Sequence, residues 1–202
     1  ELLARAPALL DELDDMLTGV SEGSRGLTGA IRISAPVTFG EMHLGGLLAR
    51  FARDHPDLTI DLRLHDGFAD LAAEGIDIAF RIGRSEMLSL KTLKLGEVRS
   101  VIGASPDYIA RHGTPRTPEE LSRHACILDT NRRDPRRWGF REAGEAKVVE
   151  VSGRFQVNSA RAAVELAAGG LGICYGPAFA LADAFATGRL VPLLPHVDCD
   201  TA

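Results

Sequence analysis

The chain is short of cysteine, of aromatic side chains and of surplus positive charge, and it has no long apolar run. Three cysteines, Cys126, Cys174 and Cys199, stand among 202 residues, and no two form a Cys-x-x-Cys pair. An odd, widely spaced set excludes a disulfide framework. It reads as thiols used as small hydrophobes in a reducing compartment, so a cytoplasmic location is expected. Aromatics make up 5% of the chain, too few for a platform that stacks single-stranded bases. Lys and Arg number 23 against 28 Asp and Glu, net −5, so the chain as it stands carries no electrostatic footprint for nucleic acid. No apolar stretch reaches the ~18 residues of a membrane-spanning helix, and no basic-then-apolar leader opens the sequence. No membrane partner is expected.

Catalytic and cofactor signatures are missing as well. There is no G-x-S-x-G, no phosphate-cradling G-x-x-x-x-G-K and no H-E-x-x-H. Six histidines are scattered without ligand spacing; His124 and Cys126 lie two apart, but no second pair joins them. Gly169-Gly170-x-Gly172 comes after a helix and before a strand, the reverse of a dinucleotide fingerprint, and reads as a helix C-cap. No catalytic residue, metal ligand or cofactor is expected, and the chain reads as a binding module rather than an enzyme.

What is present is ordinary globular composition, 45% hydrophobic and 25% charged, at a length that suits one domain or two small lobes. Leu2, Ala6, Leu9, Leu13, Met16 and Val20 step by four and three, a heptad seam on one stripe of a helix. The outward positions are acidic: residues 1–28 carry a net −4, which leaves −1 for the rest. Two partners fit such a seam, a second copy of the helix or the chain's own body. Pro7 requires the helix to start or kink there. A stretch rich in Gly and Ser, from Gly19 to Gly26, then detaches it from the body of the chain.

The body alternates. Ala30–Ala35 reads as a strand. Thr38-x-x-Glu41 has the form of a capping box, and Leu44, Leu47, Leu48 and Phe51 give one apolar helix face. His55-Pro56 stops that helix. Leu58–Leu64 alternates as a strand, Phe68–Glu74 reads as a short helix, and Ile76–Ile82 as a third strand. This β-α-β-α-β order implies a parallel sheet covered by helices. Two strands are expected at Thr92–Leu95 and Arg99–Ala104. Ser105-Pro106 and Thr117-Pro118 each offer a cap with proline next to it at the first helical position, and Thr117-x-x-Glu120 has the form of a second capping box. Further strands fall at 125–128, 137–140, 147–151 and 155–157, a helix runs from Asn158 or Ser159 to Leu166, and strand, helix, strand close the chain.

Helix N-termini next to strand ends are the candidate binding features. Pro36, Val37, Thr38 and Phe39 come directly after the first strand and open a helix, where free N–H groups suit an anion. Thr38 reads equally as a pure cap or as a cap that touches ligand. Asn158 and Ser159 repeat the arrangement in the second block. Arg132, Arg133, Arg136 and Arg137 crowd one loop, which reads as solvated or as an anion contact. Arg84 lies just past a strand end.

These stretches resemble the LysR-type transcriptional regulators. The residues that carry the resemblance are Gly29–Pro36 after an apolar acidic helix, Leu47–Pro56, Glu74–Gly83, Ser105–Tyr108 and Gly169–Gly172, in the right order and spacing. The resemblance implies an α/β fold of two Rossmann-like lobes with an interlobe cleft, similar to type 2 periplasmic binding proteins and preceded by a linker helix. Residues 1–28 would be the linker and dimerisation helix and 29–202 the effector-binding domain. Lobe I would hold about 29–100 and 176–202, and lobe II about 101–175. It implies effector contacts at Pro36, Val37, Thr38, Phe39, Asp66, Gly67, Thr130, Asn131, Asn158 and Ser159, and hinges at Gly83, Gly103, Tyr175 and Gly176; Arg84, from its place past a strand end, reads equally as a further effector contact or as a surface residue. It also implies a small-molecule effector, a homodimer or homotetramer, and DNA as a partner through a winged helix-turn-helix that the chain does not include. Family members usually add a strand and a helix after the position of Pro195, for which no counterpart is expected here. A periplasmic-type solute-binding protein is the rival reading; it predicts a monomer, against which the heptad seam argues.

Overall fold

The computed structural model describes residues 27–67, 74–83, 91–142 and 144–199. The heptad residues Leu2, Ala6, Leu9, Leu13, Met16 and Val20, most of the 68–74 segment and Arg84 lie outside these. The chain divides into two compact units at Gly96–Glu97.

In the first unit, β1 (Gly29–Ala35) leads into a helix in three continuous pieces. These are α1 (Val37–Phe39), a π-helical turn (Gly40–Leu44) and α2 (Gly45–Asp54). The wide turn is closed by the Gly45 N–H donating to Gly40 O. Gly40 lies against the Leu64 side chain, where a Cβ would collide. β2 (Leu58–Leu64) and β3 (Ile78–Ala79) flank β1 in the order β2-β1-β3, both parallel to it. The expected helix face forms the core: Leu44 and Leu47 are buried with Ala35, and Leu48, Leu62, Leu64, Phe39 and Phe80 pack around them. The expected third strand shrinks from 76–82 to two residues, and Thr92–Leu95 forms no strand.

The second unit opens with β4 (Ser100–Ala104) and α3 (Pro106–His112), capped as the sequence predicts. Ser105 Oγ accepts from Tyr108 N at 3.2 Å, Pro106 takes the first position, and Gly113 ends the helix at φ 83°. A 3₁₀ turn (Pro118–Arg123) leads to β5 (Ala125–Asp129). Here the expected capping box does not form as such: Thr117 makes no cap bond, and Glu120 instead accepts from Arg116 N at 2.7 Å. β6 (Arg137–Glu142), β7 (Glu145–Glu150) and β8 (Ser152–Val157) precede α4 (Ala160–Ala168), then β9 (Ile173–Pro177), α5 (Ala178–Ala186), β10 (Val191–Pro192) and β11 (Asp198–Cys199). A mixed sheet runs β10-β4-β9-β5-β8, and an antiparallel one runs β11-β6-β7.

The five-stranded sheet buries both faces. One carries Tyr108, Leu128, Trp138, Phe140 and Tyr175; the other, under α4 and α5, carries Ile127, Val164, Cys174 and Leu181. Cys126 and Cys174 project into opposite faces, and burial pushes each thiol up to about 12. Neither is a thiolate at neutral pH, as thiols used for packing require.

Three expectations fail here. Of the stretch expected to return to the first lobe, residues 176–199 stay with the second unit, because β10 pairs antiparallel with β4 and β11 with β6, both in that unit. For the same reason Tyr175 and Gly176 are no crossover: both lie inside β9, paired with Ile102 and Val101. Gly103 is not a hinge either. It is a packing glycine in β4, where a Cβ would approach Phe185 to 2.8 Å. Gly83 has φ 116° with no described atom within 4 Å of an added Cβ, and the chain divides at Gly96–Glu97.

Candidate functional site

Three parallel strands end together in the first unit, and polar groups gather beyond their carboxyl ends, the usual ligand position in an open α/β sheet. From β1 come Ser34 and the Pro36–Phe39 turn; from β2, His65, Asp66 and Gly67; from β3, Phe80 and Arg81. Backbone bonds lock the ends together: His65 N donates to Ala35 O at 3.0 Å and Phe80 N to Ser34 O at 2.8 Å.

The turn differs from the expected capping box. Pro36 is the N-cap residue, and Thr38 is already helical and buried, so its hydroxyl caps nothing. The helix start is capped from a distant loop, by Asp66 Oδ1 accepting from Val37 N at 3.0 Å. Burial raises the Asp66 carboxyl above its ordinary range, and the Val37 bond and His65 pull it back. The sequence thus supplies an internal carboxylate where an external anion was expected.

Beside it lies a network that sequence reasoning missed. Ser34 is fully buried, and its Oγ accepts from Arg81 Nη2 at 2.9 Å and lies 3.1 Å from His65 Nε2. Ser34 thus joins Arg81 and His65 in one network, with its hydroxyl able to accept from either side chain or to donate to Nε2. Arg81 Nη1 donates to Phe80 O at 2.7 Å. Burial pulls the Arg81 guanidinium below its ordinary value, with Glu74 opposing. Arg81 makes no ion pair among the described residues. The signal that could have found it is a lone cation inside the apolar run Ile76-Asp-Ile-Ala-Phe-Arg-Ile82.

In the second unit the structure brings Thr130, Asn131, Asn158 and Ser159 together at the ends of parallel β5 and β8. Thr130 N and Oγ1 both donate to Val157 O, at 2.8 and 3.2 Å. Asn131 Nδ2 donates to Asn158 O at 2.7 Å, tying the two loops. Ser159 caps α4, its Oγ accepting from Ala162 N at 3.3 Å. The polar atoms of Thr130 and Ser159 are thus engaged in holding the loops, whereas the exposed Asn158 side chain makes no bond among the described residues. No group of three or more His, Cys, Asp or Glu in the described residues is placed to hold a metal ion. No helix among them is long and apolar enough to cross a membrane.

Comparison with known proteins extends this picture. The pattern of the LysR substrate binding domain matches residues 24–201. An uncharacterized HTH-type transcriptional regulator of Haemophilus influenzae is 32% identical over 192 residues, covering 95% of this chain and 67% of that protein. The HTH-type transcriptional regulator PtxR of Pseudomonas aeruginosa is 34% identical over 194 residues, covering 96% of this chain and 62% of PtxR. The full-length structure of the Vibrio cholerae virulence activator AphB superposes with a TM-score of 0.78 at 30% identity, covering 96% of this chain and 67% of that one. The chain therefore spans about two thirds of the length of the relatives it matches. The likeness carries the fold class, two α/β lobes of the periplasmic-binding-protein type.

Proposed function

Because the chain belongs to the LysR substrate-binding-domain family, we propose that it is the effector-sensing and dimerisation region of a DNA-binding transcription regulator, and that its effector is a small carboxylate. The coarser statement, an effector-binding domain of LysR type, comes from the match itself. The carboxylate is the proposal, and Arg81 carries it. A partly desolvated guanidinium without an ion pair among the described residues, at the carboxyl ends of three strands, favours a planar anion over a neutral or cationic ligand.

The proposed effector contacts in the first unit are the Pro36–Phe39 turn, Asp66, Gly67 and Arg84, now joined by Arg81. Those in the second unit are Thr130, Asn131, Asn158 and Ser159. Asp66 holds the Val37 N–H, so it competes with an incoming carboxylate there and directs it towards Arg81. Effector binding favours one arrangement of the chain over another, to the extent that its affinity differs between the two. That shift alters how copies joined through the Leu2–Val20 seam assemble, and so how a DNA-binding domain outside this chain meets its operator. The region works by binding, in the cytoplasm, without chemistry of its own. Relatives that are transcription regulators support this reading over a periplasmic solute-binding protein.

A thermal-shift panel of aliphatic and aromatic carboxylates, each paired with its neutral amide, tests the proposal. A ligand at 100 times its Kd adds ~2.7 kcal/mol, roughly 5–10 °C in midpoint at this size. At least one acid is expected to reach that shift while its amide does not, and Arg81→Gln is expected to abolish it. Equal shifts from acids and amides would remove the carboxylate reading.

A further inference from the structure

Two basic side chains of the first unit meet on one hydroxyl. Arg81 Nη2 donates to Ser34 Oγ at 2.9 Å, and His65 Nε2 lies 3.1 Å from the same oxygen. The guanidinium and imidazole nitrogens are therefore no more than 6.0 Å apart. Backbone bonds set this spacing: His65 N donates to Ala35 O at 3.0 Å and Phe80 N to Ser34 O at 2.8 Å, which fixes both strand ends to β1. Ser34 is fully buried, but His65 and Arg81 are only partly so and remain open to a small solute.

A neutral imidazole suits the arrangement, since Ser34 can accept from Arg81 and donate to His65 at once. A charged imidazole brings a second cation against the first, and like charges at this range oppose each other. The groups around the pair come from every strand end. From the helix after β1, Glu41 bears on Asp66, and His43 packs on Phe39 at 5.4 Å. Asp66, next to His65, is engaged by Val37 N at 3.0 Å, and a charge on His65 steadies its carboxylate. Glu74 acts on Arg81 from a distance, and Arg81 makes no ion pair among the described residues. An anion placed at Arg81 would relieve the opposition between the two cations.

We propose that His65 is the proton-linked arm of this site, so that a carboxylate seated at Arg81 binds together with a proton on His65. The proton comes from solvent and goes to the unprotonated ring nitrogen, and no covalent bond between heavy atoms is made or broken. The bound state then holds more protons than the free one. Affinity is accordingly greatest on the acid side of the imidazole titration and falls as pH rises through it. The site thereby reads the acid and the acidity together. This rests on the carboxylate-sensing reading above and adds its regulation.

The test titrates the ¹⁵N-labelled chain with sodium acetate from about pH 6 to about pH 8, across the ordinary imidazole value. Sodium chloride holds the ionic strength, and acetate is ionised throughout. Binding followed at the Val37 and Thr38 amides is expected to weaken about tenfold over that range. Calorimetry of the wild-type chain in buffers of different ionisation enthalpy is expected to show proton uptake near neutral pH. His65→Gln keeps a side chain that can bond to Ser34, and is expected to bind acetate weakly and equally at every pH. Wild-type affinity that does not change with pH, with no proton taken up, overturns the linkage while the carboxylate reading stands. A pH profile that persists in His65→Gln but flattens in Asp66→Asn assigns the proton to Asp66 and overturns the role of His65. If acetate moves the Val37 and Thr38 amides at no pH, the carboxylate reading falls as well.

Discussion

The two units spend their sequence differently. Among the described residues, the first buries Ala35, Leu44 and Leu47 at the centre of one thin cluster and places Ser34, Asp66 and Arg81 close beside it. The second buries both faces of a five-stranded sheet, one rich in aromatic rings and one lined by two helices. The same α/β grammar thus gives one unit with a thin core beside a polar network and another with two apolar faces. In the first, polar groups that cost energy to bury are tolerated because they answer one another; in the second, arginines are mostly kept at the rim. Partly satisfied polar networks are where binding sites are expected, and closely packed aromatic cores are where stability is expected.

The comparison predicts where mutations hurt. Trp138→Ala empties the centre of the aromatic face, and a loss of about 3–5 kcal/mol is expected. Urea denaturation monitored by circular dichroism measures it, and a loss comparable to a surface change would deny the second unit its role. Ser34→Ala is expected to cost about 1–3 kcal/mol, because it strands Arg81 and His65 in the half-buried network. The same denaturation experiment checks that cost, and the variant should lose carboxylate response together with stability.

Asp66→Asn sharpens the contrast through pH. Burial raises the Asp66 carboxyl, so the folded chain holds its proton more tightly than the unfolded chain does. As pH rises, the unfolded chain releases that proton first, and stability from this group falls through the raised value. Asn still accepts from Val37 N and has no charge to desolvate. Thermal melts of both proteins from acid to neutral pH should show the wild type losing ground to Asp66→Asn as pH rises. A difference that is flat across that range would contradict the burial argument. The smallest effect is expected at the rim: Glu165 and Arg189 are paired but largely exposed, so Arg189→Gln should leave the melting midpoint unchanged.

Local chemistry was readable where cause and effect are close in sequence. The Leu44, Leu47 and Leu48 stripe comes from helical period, and the Ser105 and Ser159 caps come from a hydroxyl three residues before the N–H that it accepts. The Thr38 box failed because the donor at Val37 is satisfied by Asp66, from another loop, which no local pattern announces. The Thr117 box failed by one residue, since Glu120 reaches Arg116 rather than Thr117. The placement of 176–202 failed because β10 and β11 are two residues each and their pairing with β4 and β6 is decided by non-local contact. Among the candidate contacts, Asp66 was readable only through the family resemblance. Ser34 and Arg81 escaped because a polar residue in a strand ordinarily reads as its solvent face.

The central claim is that a carboxylate is received beyond the carboxyl ends of β1, β2 and β3. Amide mapping tests it most directly: the ¹⁵N-labelled chain is titrated with the acid that most raises its melting midpoint, and with that acid's amide. The account predicts that the acid moves the resonances of Val37, Thr38, His65, Asp66 and the Arg81 side chain together, along one saturation curve, and that Arg81→Gln abolishes the movement. Saturable binding that leaves those resonances in place would contradict it.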